Sequence, residues 1–254
     1  MVPFFFGSKQ RRLFGVYEPA AGRGGGARAA LLCNSWGKEY FNGHRAMRLL
    51  AKRLCATGFD TLRFDYFGSG DSGGEASEAD LDGWRHDIVS AARELKHMSA
   101  APRVVLVGLR LGATLVAETA PRLHEDIDGV ILWDPIVRGL DYMEELAEQG
   151  GQKARLSEVK SDMEDDIELE GLSVSPAFVS GLKAIDLCSE TLGLQARRLT
   201  IFTCKPPLNC KLLSSEGRNS EVLVLKTASP WKDAVERTET LPIEVYERII
   251  EWLR

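Results

Sequence analysis

The segment Gly108-Leu109-Arg110-Leu111-Gly112 carries the strongest chemical signal in the chain. It follows an apolar run, Val104–Val107, and leads into Ala113-Thr114-Leu115-Val116-Ala117, which reads as a buried helix. A glycine on each side of three residues lets a strand turn into a helix in very little space. The middle residue is left at the apex of a strained turn, pointing out of the sheet. A serine there would be poised as a nucleophile. Arg110 cannot act that way, because a guanidinium keeps its proton at physiological pH and has no lone pair to attack with. It can hold an anion, often bidentately. The plainer alternative is a tight strand–helix junction with no chemistry attached.

An arginine at a helix start needs a partner. The dipole there disfavours a cation by about 0.3–1 kcal/mol, and burial adds a larger cost unless an acid pairs with it. Glu39, following the run Ala29–Cys33, and Asp134, following Val130–Trp133, are the carboxylates expected at the same edge. Arg110 is therefore expected within about 4 Å of at least one of them.

A second motif is Phe64-Asp65-Tyr66-Phe67-Gly68-Ser69-Gly70-Asp71-Ser72-Gly73. Its glycines match the dinucleotide pattern GxGxxG literally. That fingerprint requires the glycines to open a helix directly and an acid about twenty residues on, ending the next strand. Here the polar stretch Glu75–Asp80 separates the glycines from the next helical pattern. No dinucleotide or other cofactor is expected.

The elements that must position these residues can be read from periodicity. Apolar runs without clean alternation occur at Ala29–Cys33, Thr61–Phe64, Val104–Val107, Val130–Trp133, Leu199–Phe202 and Val222–Leu225, as strands buried on both faces of a parallel sheet would read. Helical patterns lie between them at Tyr40–Cys55, Leu81–Met98 and Leu111–Leu123, and Pro242–Leu253 closes the chain. This alternation predicts an α/β fold with a mostly parallel central sheet. Val2–Phe6 and Leu13–Tyr17, flanking Gly7-Ser8-Lys9-Gln10, predict an N-terminal antiparallel hairpin. From Ile136 to Arg198 the parallel-strand signal stops. Helix-like pieces (Leu140–Ala147, Pro176–Leu187) surround an acidic stretch, Glu158–Glu170, that reads as a solvated face. The expected organisation is a core of residues 1–135 and 196–254 with a helical lid inserted over 136–195. Gly22–Gly26 reads as a flexible turn.

Together these segments resemble the α/β-hydrolase superfamily in its serine-aminopeptidase-like branch. The Gly-Leu-Arg-Leu-Gly elbow and Trp133-Asp134-Pro135 are similar to those of exosortase A system-associated hydrolases. The resemblance spans residues 1–140 well and 195–254 in outline. It implies a hydrolase fold with Asp65–Ser72 as the glycine-rich loop after the fourth strand. Asn34-Ser35-Trp36-Gly37 stands at the oxyanion loop, where His-Gly is usual. The backbone N–H groups of Trp36 and Leu111 are then the candidate oxyanion donors.

The family's catalytic order is serine, acid, histidine. Arg110 stands at the serine. The usual acid position falls on Thr203-Cys204-Lys205-Pro206, with no carboxylate, and leaves Asp134 as the alternative acid. The histidine is expected around Thr227-Ala228-Ser229-Pro230-Trp231, but the four histidines (His44, His86, His97, His124) all precede it. Cys204 reads as a small buried thiol rather than a nucleophile, and Trp231 and Trp252 as packing.

Composition narrows the function classes. A net charge of −5 over 254 residues argues against a nucleic-acid or anionic-membrane surface. No apolar stretch approaches the ~20 residues a membrane-spanning helix needs. The five cysteines are scattered, without zinc-type pairs, so no metal is expected and a reduced, cytoplasmic location is. The sequence therefore points to a catalytically degenerate hydrolase fold that binds an anionic or acyl-type small molecule through Trp36, Glu39, Arg110, Leu111 and Asp134. Two other readings stay open. One is a non-classical enzyme acting on esters, thioesters or amides; the other is a protein partner, or a homodimer, in a polysaccharide or protein-export system.

Overall fold

The computed structural model describes residues 1–22, 28–123, 126–149, 167–169, 171–188, 196–203, 220–227, 229–232 and 241–254. Most of Gly22–Gly26 and of Glu158–Glu170, together with His124, Cys204 and Cys210, lies outside them.

Eight strands form one sheet in the order β1-β2-β4-β3-β5-β6-β9-β10. β1 (Val2–Gly7) and β2 (Arg12–Glu18) are the expected antiparallel hairpin, and β2 lies antiparallel to β4 (Phe59–Phe64). Every other pairing is parallel, through β3 (Arg28–Cys33), β5 (Val104–Leu109), β6 (Ile127–Trp133), β9 (Arg197–Phe202) and β10 (Ser220–Val224). The central strands read as continuous apolar runs because both faces are covered. One face carries α1 (Gly37–Ala56) and α6 (Ile243–Trp252), packed through Met47, Leu50, Tyr246 and Ile249. The other carries α2 (Leu81–Ser99) and α3 (Leu111–Thr119), packed through Trp84, Ile88, Leu115 and Val116.

Chain order reverses around β3. The connection after β3 goes to β4 on one side, and the next returns to β5 on the other. Such a switch point opens a crevice at the carboxyl ends of the strands, where ligands bind in open α/β sheets. The Asn34–Trp36 loop and Arg110 sit at that place.

Two expectations need correction. The helix predicted over Leu111–Leu123 ends at Thr119 and tightens into a 3-10 turn over Ala120–Leu123. Pro121 has no N–H to continue the α-helical ladder. Between β6 and β9 the helices α4 (Gly139–Gln149) and α5 (Pro176–Ala184) form near the expected places, but a short antiparallel hairpin, β7 (Ile167–Leu169) with β8 (Leu172–Val174), accompanies them. The segment is not purely helical. Among the described residues, no helix is long and apolar enough to cross a membrane.

Candidate functional site

Arg110 follows β5 and caps α3 with φ 53° and ψ −121°, outside the regions an ordinary side chain prefers. Two close approaches hold it there. A Cβ on Gly108 would run into the backbone of Ala113, and one on Gly112 into the carbonyls of Cys33 and Asn34. The turn is also pinned from both sides. Arg110 N–H donates to Trp133 O (2.9 Å), and the Ala113 and Thr114 amides donate back to Arg110 O. Strain of this kind costs about 1–3 kcal/mol and persists only where the surroundings over-determine it.

The guanidinium is almost completely buried and has two carboxylate partners. Nε–H donates to Glu39 Oε1 at 2.7 Å, and an Nη2 hydrogen to Glu145 Oε2 at 2.7 Å. Glu39 lies in the first turn of α1 with its side chain 5% exposed; Glu145 comes from α4 with its side chain 41% exposed. Tyr142, one helical turn before Glu145, donates its hydroxyl to Glu39 Oε2 at 3.2 Å. The rings of Tyr142 and Trp231 each lie 5.4 Å from the guanidinium carbon, within cation–π range.

Burial disfavours the charge on Arg110, but Glu39 and Glu145 outweigh it and hold the guanidinium above its ordinary pKa. Glu39 moves the other way from a simple ion-pair partner. Burial pushes it up to about 7, although Arg110 and the Tyr142 hydroxyl favour its charged form and Glu145 opposes it. Glu39 is the buried one of the two carboxylates, so loss of water moves it toward its neutral form, while the arginine stays charged.

Asp134 is also held at positive φ, 43°, and is 1% exposed. Its carboxylate does not reach Arg110. It accepts from the Thr203 amide (2.9 and 3.1 Å to its two oxygens) and from the Thr203 hydroxyl (2.8 Å). The Thr203 hydroxyl in turn meets Ser229 Oγ at 3.1 Å. The acid thus keeps a hydrogen-bonded chain leading toward the segment where a histidine was expected, but the chain is made of hydroxyls.

Of the five residues singled out from sequence, Arg110 and Glu39 come together and Asp134 turns to Thr203. Leu111 is fully buried, and the Trp36 indole packs on Phe178 of α5, centroids 5.0 Å apart. Only their backbone amides remain as candidate contributions. His44 lies on the exposed side of α1 against Tyr40, and His86 and His97 are exposed on α2. Glu145, Tyr142, Thr203 and Ser229 were missed, and Trp231 was read as packing alone. A signal existed for the first two: they stand three apart on a predicted helix, hence on one face.

The glycine-rich loop is committed to the fold. The amides of Gly68, Ser69, Ser72 and Gly73 donate to backbone carbonyls, that of Asp71 to the Asp65 carboxylate and that of Phe67 to Asp87. Donors used this way are unavailable to a pyrophosphate.

Similarity to known proteins agrees with this architecture. Human mitochondrial palmitoyl-protein thioesterase ABHD10 is 22% identical over 202 residues, which cover 79% of this chain and 60% of that protein. The chain thus spans about 60% of the length of the curated relatives it matches. The structure of Est1E from Butyrivibrio proteoclasticus with bound ferulic acid superposes with a TM-score of 0.73 at 16% identity, covering 98% of this chain and 99% of that one. Mouse α/β-hydrolase domain-containing protein 10 gives a TM-score of 0.65 at 16% identity, covering 100% and 98%. Residues 42–199, more than half of the sequence, match the family described as serine aminopeptidase, S33, and the chain belongs to that family of the α/β-hydrolase superfamily.

Proposed function

We propose that this chain is a hydrolase-fold protein whose elbow binds the anionic group of a small acid or acyl-type molecule instead of attacking it. The observation that carries the reading is Arg110 itself: a charged fork at the apex where the family places a nucleophile, held there by Glu39. The segment 136–195 is read as the lid over this site, and Trp36 and Leu111 as donors through their amides. Saturation with a carboxylate or phosphate at ~100 times its dissociation constant should stabilise the protein by about 2.7 kcal/mol. Arg110→Gln should remove that shift, with Arg110→Lys as a second variant that keeps the charge and loses the fork. Equal shifts in wild type and both variants would place the anion elsewhere. The protein should also resist fluorophosphonate labelling, since the elbow holds no hydroxyl.

A second reading rests on the chain Asp134–Thr203–Ser229. It would let Ser229 act on an ester or thioester, in keeping with the thioesterase name of the human relative. It ranks second because a carboxylate is a weaker base than the imidazole it replaces, by about 2–3 pKa units. Thioester turnover abolished by Ser229→Ala would favour it. The elbow and Trp133-Asp134-Pro135 further suggest kinship with exosortase A system-associated proteins, a cytoplasmic setting and, as a third reading, a protein partner in polysaccharide or protein export.

A further inference from the structure

We infer that Glu145 stands on Arg110 in the place of a ligand's carboxylate, so that the ligand is a monocarboxylic acid with an aromatic or apolar body and displaces Glu145 when it binds. This rests on the anion-binding reading above and narrows it to a class of ligand.

The two carboxylates on the guanidinium are not equivalent. Glu39 belongs to α1, is 5% exposed and is held from its other oxygen by Tyr142. Glu145 is 41% exposed, and its only ion-pair contact among the described residues is Arg110 Nη2 at 2.7 Å. Water competes for Glu145 and scarcely for Glu39, so Glu145 is the exchangeable partner. The arginine side chain is only 6% exposed, so the more exposed of its two acids is the one an incoming anion exchanges with.

Charge sets the class. One cation already faces two carboxylates, so a third anion cannot simply be added. It has to replace one. A monocarboxylate exchanged for Glu145 leaves the charge on the guanidinium unchanged and reproduces the same oxygen geometry. A phosphate monoester, carrying close to two charges near neutral pH, would add another negative charge to a site already in excess. The surroundings set the body of the ligand. Among the described residues, the rings of Tyr142 and Trp231 also lie beside the guanidinium, each 5.4 Å from its carbon, so a ligand carboxylate held there meets aromatic surface. Exchange does not require α4 to leave, because Tyr142 on the same helix keeps its hydrogen bond to Glu39 while Glu145 rotates outward.

The test is calorimetric titration of the full chain with benzoate and with phenyl phosphate, which share a ring and differ in charge. Glu145→Gln removes the competing charge and should tighten benzoate about tenfold. Wild type should prefer benzoate to phenyl phosphate, and Arg110→Gln should bind neither. Unchanged benzoate affinity in Glu145→Gln, with binding still lost in Arg110→Gln, overturns the displacement and leaves the anion site standing. Tighter binding of phenyl phosphate by wild type overturns the monocarboxylate class. Binding that survives Arg110→Gln, or that is absent from both wild type and Glu145→Gln, overturns the anion-site reading as well.

Discussion

Arg110 and Asp134 end adjacent strands, carry opposite charges and are both forced to positive φ, yet they do not pair. Each meets the cost of burial in its own way. Asp134 is held from the neighbouring strand, where Thr203, just after β9, supplies an amide and a hydroxyl. Those donors are set by the sheet and cannot move far. Among the described residues, the Arg110 side chain takes no partner from the sheet, because Asp134, the acid that ends the neighbouring strand, is turned to Thr203. Its partners come from helices, Glu39 on α1 and Glu145 on α4. The aspartate therefore sits in a fixed site and the arginine in one assembled from separate elements. Ligand exchange belongs to the second kind of site.

Removing one group from each side gives the largest contrast. Arg110→Ala leaves Glu39 buried without its cation, and breaking such a pair costs about 3–5 kcal/mol. Glu39 can escape by taking up a proton, so chemical denaturation should show the full loss near pH 8.5 and a smaller one near pH 6. Thr203→Val removes only the hydroxyl donor to Asp134. Its cost should be about 1.5–3 kcal/mol, as for a hydrogen bond to a charged group. An Arg110→Ala loss that does not grow with pH would break the distinction.

The difference also explains what could be read from residues alone. The elbow, the hairpin and the parallel core were legible because their signals are local: a glycine spacing, alternation, continuous apolar runs. Glu39 was legible because topology brings the loop after β3 beside the elbow. The end of α3 was misplaced although Pro121 marks it. The β7–β8 hairpin went unread because three-residue strands give almost no periodicity, even with Ile167, Leu169, Leu172 and Val174 spaced by twos. Glu145 and Trp231 reach Arg110 from distant parts of the chain; the spacing of Tyr142 and Glu145 puts them on one helix face but does not say what that face meets. Thr203 carries no carboxylate, and nothing in its local sequence marks it as a donor to Asp134.

A middle-sized effect tests whether Glu39 is the titrating member. Its folded pKa of about 7 lies above the ordinary 4.5. Between those values the folded protein keeps a proton that the unfolded chain has lost. Stability from this group is therefore full below pH ~4.5 and falls as pH rises toward ~7, by at most about 1.4 kcal/mol per unit. Burial pushes Asp65 and Asp87 up as well, which adds slopes of the same sign. The wild-type curve must therefore be compared with that of Glu39→Gln, which cannot titrate at this position. The variant should lose less stability than wild type across that window. Parallel curves would mean that Glu39 stays ionised and that Arg110 outweighs its burial.

The smallest effect separates the two acids on the one guanidinium. Glu145 is 41% exposed, so solvent screens its attraction to Arg110, and Glu145→Gln should change stability by no more than about 1 kcal/mol, the range of exposed pairs. Glutamine can still accept a hydrogen bond from Nη2, which limits the loss further. Salt sharpens the test. At ~1 M the screening length falls to about 3 Å, so what remains of the Glu145 contribution should fade, while the buried Glu39 pair should hardly respond. Thermal unfolding of wild type and Glu145→Gln should therefore converge as salt is raised, whereas Arg110→Ala stays apart from both. A Glu145→Gln loss of 3 kcal/mol or more would show that this acid is as firmly built in as Glu39. Both carboxylates would then be structural, with Arg110 held closed against any ligand.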